Sequence, residues 1–228
     1  RLEPEAGGRF NRLLLHNPGE DSIKVVAINT ANGAVYAREV AVAPFSPPRT
    51  QFTDIQDSNL AQQVMKLAEE GIIQGYDDGT FRPYASITRL ELVSLLARYL
   101  QLDNPSIRTG FADDQLIPWW GKGWVEEARR LGLIKGYEDG SFRPQQAATR
   151  SEMAIIMDKA YRLLGTSQGR SLFEPAGDIL LAPEWAQPAI LKGYQRGIWP
   201  DTWQSVFKPQ NYLTRGEAVL LISRLEWP

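Results

Sequence analysis

The sequence predicts a mainly α protein made of three tandem helix-loop-helix repeats, joined to a small β-rich N-terminal segment. Three observations carry this expectation. The string Gly75-Tyr76-Asp77-Asp78-Gly79-Thr80-Phe81-Arg82-Pro83 returns as Gly136-Tyr137-Glu138-Asp139-Gly140-Ser141-Phe142-Arg143-Pro144. Thr-Arg-x-Glu occurs at Thr88 to Glu91, Thr149 to Glu152 and Thr214 to Glu217. Counted from Gly71, Gly132 and Gly197, the arginines Arg89, Arg150 and Arg215 each come 18 residues later. A fixed period means one supersecondary unit used repeatedly, so function is to be sought at three related sites.

Residues 1–50 read differently from the rest. Ser22 to Ile28 and Ala34 to Val40 have strand character, Asn32-Gly33 between them is a hairpin signal, and Phe10 to Leu15 adds a third strand. Pro44, Pro47 and Pro48 then mark a stiff linker. The repeats follow at 51–104, 105–168 and 169–228. Each opens near Phe-x-Asp, at Phe52-Thr53-Asp54, Phe111-Ala112-Asp113 and the degenerate Ala176-Gly177-Asp178. The first helix comes next. Val64, Val125 and Ile190 hold one of its core positions, and Asn59, Trp120 and Trp185 hold another. A glycine in the left-handed conformation is expected to end it.

The glycine-rich loop leads to the second helix, which starts at Thr-Arg-x-Glu. This is a capping box, in which Thr accepts from the N3 amide and Glu reaches back to the N-cap amide. The apolar stripes that follow are Leu92, Leu95, Leu96 and Tyr99, then Met153, Ile156, Met157 and Ala160, then Ala218, Leu221, Ile222 and Leu225. Their helical spacing makes them core. A single repeat has too little core to stand alone, so the three capped helices are expected to be related by a threefold-like rotation.

Composition excludes several functions. The 228 residues carry a net charge of −2, which gives no general attraction to nucleic acid or acidic membranes. Cysteine is absent, so neither disulfides nor thiolate metal sites form. No apolar run approaches the roughly 18 residues of a membrane span. The chain starts at Arg1 without Met or a signal peptide, as a piece of a longer protein would. His16 is the single histidine. No serine or cysteine pairs with it at a known spacing and no phosphate-binding loop is present, so the case for an enzyme is weak.

The three arginines are the chemical anomaly. Arg89, Arg150 and Arg215 occupy the first helical position, where free amides and the helix dipole are already positive. A guanidinium at a helix N-terminus suits a carboxylate or phosphate. The plainer reading is an ion pair with Asp54, Asp113 or Asp178, and the two readings can coexist. Trp120 and Trp185 could stack on a sugar ring or simply pack between repeats. Asp77-Asp78-Gly79 and Glu138-Asp139-Gly140 lack the ligand spacing of a calcium loop and read as turns.

Taken together, these motifs resemble the S-layer homology (SLH) domain from about Gln51 to Trp227. The resemblance implies a pseudo-threefold arrangement of three SLH repeats within one chain. It implies grooves between repeats that bind peptidoglycan-linked secondary cell wall polysaccharide, commonly through pyruvylated N-acetylmannosamine, whose ketal carries a carboxylate. By position, the anion-binding arginines would be Arg89, Arg150 and Arg215, their aspartate neighbours Asp54, Asp113 and Asp178, and the sugar-facing tryptophans Trp120 and Trp185. The sequence departs from the pattern at Asn59, where tryptophan is expected, and in copy three, which lacks the Gly-Tyr-x-Asp-Gly turn and the phenylalanine before Asp178. The grooves should therefore bind unequally. Copy two keeps both the loop and Trp120, which makes Arg150 the first choice for substitution.

The expected function is non-enzymatic anchoring of an extracellular surface protein to the cell wall, by a module at its C-terminal end, with no cofactor and no nucleic-acid partner. The alternatives are a glycan-acting enzyme that uses the same grooves and a purely structural module that self-assembles in a surface layer.

Overall fold

The computed structural model describes residues 10–15, 22–29, 35–41, 52–104, 106, 108–165 and 175–225. The chain divides into two units, Arg1–Pro47 and Pro48–Pro228. In the first, β1 (Phe10–Leu15), β2 (Ser22–Asn29) and β3 (Val35–Ala41) form an antiparallel sheet in the order β1-β2-β3. Val26 pairs with Leu13 on one side and Ala37 on the other. All three expected strands form. The Asn32-Gly33 turn, His16 and the Pro44, Pro47 and Pro48 linker lie outside the described residues.

The second unit is helical, and none of its helices is long and apolar enough to cross a membrane. The first helices of the repeats are α1 (Ser58–Glu69), α3 (Trp119–Arg130) and α5 (Gln187–Arg196). Each is followed by its expected left-handed glycine, with φ of 71° at Gly71, 72° at Gly132 and 68° at Gly197. A side chain there would meet the carbonyl, so glycine stops the helix at little strain. The second helices are α2 (Arg89–Tyr99), α4 (Arg150–Leu164) and α6 (Arg215–Ile222), and all three carry a complete capping box. The apolar stripes are buried as expected, with Tyr99 half-buried. Val64, Val125 and Ile190 are fully buried.

The helices pack in a cycle: α2 on α3, α4 on α5, and α6 back on α1. The residue before each capping threonine closes the ring at its centre. Ile87 donates its amide to Leu213 (2.9 Å), Leu213 donates to Ala148 (2.7 Å), and Ala148 donates to Ile87 (2.9 Å). Three matching β-bridges surround these bonds, Thr88 with Ala147, Thr149 with Tyr212 and Thr214 with Ser86. The third bridge returns to the first repeat, so the arrangement is a closed pseudo-threefold ring and not an open stack.

The same exchange satisfies the helix N-termini. The first two amides of each second helix donate to loop carbonyls of a neighbouring repeat: Arg89 and Leu90 to Gln146 and Pro144, Arg150 and Ser151 to Asn211 and Pro209, Arg215 and Gly216 to Ala85 and Pro83. The third amide goes to the capping threonine. None of these donors remains for an incoming anion, so the sequence expectation of an open helix-terminus trap is corrected here. The neighbours' carbonyls occupy it.

Copy three has Ala176 where the others have Phe52 and Phe111. In copies one and two those rings pack on Phe81 and Phe142, with centroids 5.6 and 5.3 Å apart. In copy three the rebuilt loop supplies the partner instead, with Trp199 5.3 Å from Phe207. Gly193 makes the space, because a Cβ there would stand 2.1 Å from the indole of Trp199.

Leu213 is fully buried at the axis. Leu213→Ala is expected to cost about 2–5 kcal/mol, read as a lowered denaturation midpoint in one cooperative transition of the repeat unit. Asp158, buried on α4, holds α5 through Arg196 (2.7 Å) and also accepts from Arg162 (2.6 Å). Burial alone would raise its carboxyl pKa, but the Arg196 and Arg162 hydrogen bonds outweigh burial and hold it below the usual value. A depressed carboxylate stabilises above its unfolded pKa of about 3.9, and that stability is lost as pH falls through the folded value. Asp158→Asn should therefore lower Tm at pH 7 and flatten the loss of Tm below about pH 4.

Candidate functional site

The three arginines do not pair with the Phe-x-Asp aspartates. Each reaches instead to the next repeat in the ring. Arg89 donates from Nε to the Phe142 carbonyl (2.8 Å) and from Nη1 to Glu152 (2.5 Å). Arg215 donates from Nε to the Phe81 carbonyl (3.0 Å), and more loosely to Glu91 (3.4 Å) and the Gln74 carbonyl (3.3 Å). Arg150 donates from Nη1 to the Phe207 carbonyl (2.7 Å) and from Nη2 to Glu217 (2.6 Å). The acceptor in every case is the capping-box glutamate, whose other oxygen is occupied by its own threonine. Reading Glu91, Glu152 and Glu217 as caps alone misses this second role. The signal was available, since a capping carboxylate keeps one oxygen free.

Asp54, Asp113 and Asp178 hold the loops. Asp54 accepts from the Phe81 and Arg82 amides, Asp113 from Phe142 and Arg143, and Asp178 from Phe207 and Lys208, all at 2.7 to 2.9 Å. The second residue of each pair is left-handed without being glycine, with φ of 58° at Arg82, 57° at Arg143 and 55° at Lys208. That conformation is uncommon for such residues and persists only where the surroundings fix it. Copy three keeps this clamp although its loop is rebuilt, so the clamp serves the fold of every repeat.

Within the loops, Asp78 accepts from Thr80 and Arg82, and Asp139 from Ser141 and Arg143. The Thr80 hydroxyl bond, then Arg82, lower the Asp78 carboxyl pKa to about 2. These are the turns the sequence suggests. Among the described residues no group of three His, Cys, Asp or Glu side chains could hold a metal.

Two grooves open beside the arginines. Groove one, about 380 Å³, is lined by Gln74, Tyr76 and Glu91 of repeat one, Trp120 of repeat two and Arg215 of repeat three. Groove two, about 840 Å³, is lined by Tyr137, Glu152 and Lys135 of repeat two, Arg89 of repeat one and Trp185 of repeat three. Each groove thus takes its loop from one repeat, its arginine from the repeat before and its tryptophan from the repeat after. Trp120 and Trp185 are exposed, not core. Their position faces the groove, whereas Val125 and Ile190 on the same helices face the interior.

The guanidinium in groove two lies over the rings of Tyr137 (4.7 Å) and Phe142 (5.1 Å), and the one in groove one over Tyr76 (5.1 Å) and Phe81 (4.8 Å). Burial, then a hydrogen bond to Glu152, raises the Tyr137 hydroxyl pKa, so it stays a neutral donor. Among the described residues Nη2 of Arg89 has no partner, which leaves donors available beside the open space.

The cyclic rule gives the third site a different composition. Its arginine is Arg150, its loop is the rebuilt one, and Asn59 stands in the tryptophan position. Arg150 lies 4.1 Å over the ring of Trp203, which is fully buried. Both of its terminal nitrogens are engaged, and its buried Nε has no partner among the described residues. The sequence expectation that Arg150 works with the intact copy-two loop is corrected by this geometry: the copy-two loop holds Arg89, and Arg150 meets the rebuilt loop of copy three. Both sequence departures, Asn59 and the lost glycine turn, converge on this one site.

The comparisons with known proteins agree with this architecture. The S-layer homology domain model matches residues 51–93, 110–154 and 181–219. The chain belongs to the S-layer homology domain family. Cell surface glycoprotein 1 of Acetivibrio thermocellus is 34% identical over 67% of this chain, a match that covers 7% of that protein. The cellulosome-anchoring protein of the same organism is also 34% identical over 67% of this chain, covering 34% of its own length. An S-layer protein of Bacillus thuringiensis subsp. finitimus is 26% identical over 90% of this chain, covering 25% of its own length. The SLH repeats here therefore correspond to a limited part of much longer relatives.

Arg150→Ala should leave Glu217 half-buried without its cation and free the Phe207 carbonyl. A loss of about 1–3 kcal/mol in chemical denaturation is expected.

Proposed function

We propose that this SLH module anchors a surface protein to the bacterial cell wall by binding secondary cell wall polysaccharide in grooves one and two, through the carboxylate of a terminal pyruvylated N-acetylmannosamine. Residues 51–104, 105–168 and 169–228 act as the three repeats of that module. The observation that carries the reading is groove two. There Arg89, fixed by Glu152 and the Phe142 carbonyl, has no partner for Nη2 among the described residues and stands beside an open space walled by an exposed tryptophan. A guanidinium held in place by its other nitrogens meets a carboxylate with little further ordering, and an indole face suits the apolar face of a sugar ring. In groove one all three nitrogens of Arg215 have protein partners, but two of these contacts are long, at 3.3 and 3.4 Å, so a ligand carboxylate competes for them beside Trp120. Asp54, Asp113 and Asp178 support the site indirectly, by holding the loops on which Tyr76 and Tyr137 stand.

The names of the relatives support the anchoring role and an extracellular, cell-surface location. A glycan-acting enzyme would need two free carboxylates facing each other across a groove. In groove two Glu152 is occupied by Arg89, Tyr137 and its own cap, and Asp139 by Arg143 and Ser141. The module is therefore read as non-catalytic.

Calorimetry with pyruvylated N-acetylmannosamine should give two sites per chain. Three equal sites, or none, would overturn the assignment. Arg89→Ala should weaken groove two by about 1.5–3 kcal/mol, on the order of ten- to a hundredfold in Kd. Trp185 is 57% exposed, so Trp185→Ala should weaken the same groove while leaving Tm nearly unchanged.

A further inference from the structure

The two open grooves differ in their deeper walls. Nine residues after the arginines Arg89, Arg150 and Arg215 stand Arg98, Lys159 and Arg224. Arg98 donates to the Ile72 carbonyl (3.5 Å) and lies 4.6 Å over the ring of Trp124, and Arg224 donates to the Ile198 carbonyl (2.6 Å). Lys159 has neither contact. It is half-buried in the wall of groove two, and among the described residues no carboxylate lies within ion-pair distance of it. Its nearest carboxylate, Asp158, is already shared by Arg162, Lys192 and Arg196.

Lys135, in the same groove, has no ion pair among the described residues either, and its counterpart in groove one is the neutral Gln74. Burial, then the charges of Lys135 and Arg162, lower the Lys159 ammonium pKa, and Asp158 opposes them only in part. Lys135 is exposed and Lys159 half-buried, both line groove two, and their like charges repel unless an anion sits between them. Groove one has instead the buried hydroxyl of Ser94, which has no partner among the described residues, where Ile155 lines groove two.

We propose that groove two contains a second anion subsite, made by Lys135 and Lys159, that takes a further phosphate or carboxylate on the glycan beyond the group held at Arg89. This rests on the anchoring reading for the identity of the glycan, but not for the anion. The two grooves then serve different units of the same polymer: groove one takes a singly charged end, and groove two takes an end carrying two anionic groups. Glu138, at the lip of groove two without an ion-pair partner among the described residues, opposes the added charge and sets its strength.

The test uses the whole chain, with amide shifts followed by NMR during separate titrations of inorganic phosphate, glucuronate and pyruvylated N-acetylmannosamine. Phosphate or glucuronate should move the amides of Gly136 and Lys159 and leave those of Gly75 and Arg98 in place. The tighter of the two names the anionic group. The Lys135→Gln, Lys159→Gln double variant should weaken that binding about tenfold or more, Lys159→Arg should retain it, and Glu138→Gln should strengthen it. Pyruvylated N-acetylmannosamine at groove one should be indifferent to all of these changes. Equal shifts in both grooves, no shifts, or an unaltered double variant would overturn the subsite. If the pyruvylated sugar binds neither groove while phosphate still selects groove two, the anchoring ligand is wrong and the subsite stands.

Discussion

The repeat unit depends on the three-way exchange of backbone hydrogen bonds among Ile87, Ala148 and Leu213. Each bond joins two different repeats, so the set exists only when all three are present. A helix N-terminus carries several amides without partners inside the helix. Here the ring turns that deficit into bonds between repeats, because each repeat lends its loop carbonyls to a neighbour's helix. The apolar stripes supply the larger part of the driving force, as burial does in any small helical domain. The amide exchange fixes the angle at which the stripes meet.

That geometry also explains why the grooves are composite. The arginine follows the capping threonine, so it must reach across the same interface that its own amide crosses. It arrives at the neighbour's capping glutamate, and the local chemistry of one helix start becomes the wall of a groove shared by three repeats. A change in one repeat therefore appears in a groove named after another. Asn59 in repeat one and the rebuilt loop in repeat three are far apart in sequence, yet they alter a single site and spare the other two.

Much of this was legible in the sequence because the repeat supplies internal controls. The strands, the glycine stops, the capping boxes and the buried stripes all follow from local rules acting on nearby residues, and all were found where expected. The partners of Arg89, Arg150 and Arg215 were not legible, because spacing within one repeat says nothing about which neighbour a side chain reaches. The aspartates Asp54, Asp113 and Asp178 were expected beside the arginines, and their preference for loop amides depends on the left-handed residues Arg82, Arg143 and Lys208, which no propensity marks. No sequence rule marked Trp199 and Trp203. Their burial becomes intelligible once Ala176 is recognised as a missing ring and Gly193 as the space that lets another ring in.

Closure of the ring also sets an order of events. The contact between Arg215 and Phe81 spans 134 residues of chain. Contacts of such range are slow to form, because loop-closure entropy opposes them before any neighbouring contact rewards them. During synthesis the loop of repeat one waits for the last helix to emerge, with the α1 face that α6 will cover exposed in the interval. A chain of this design leaves its ring open until its final repeat is available.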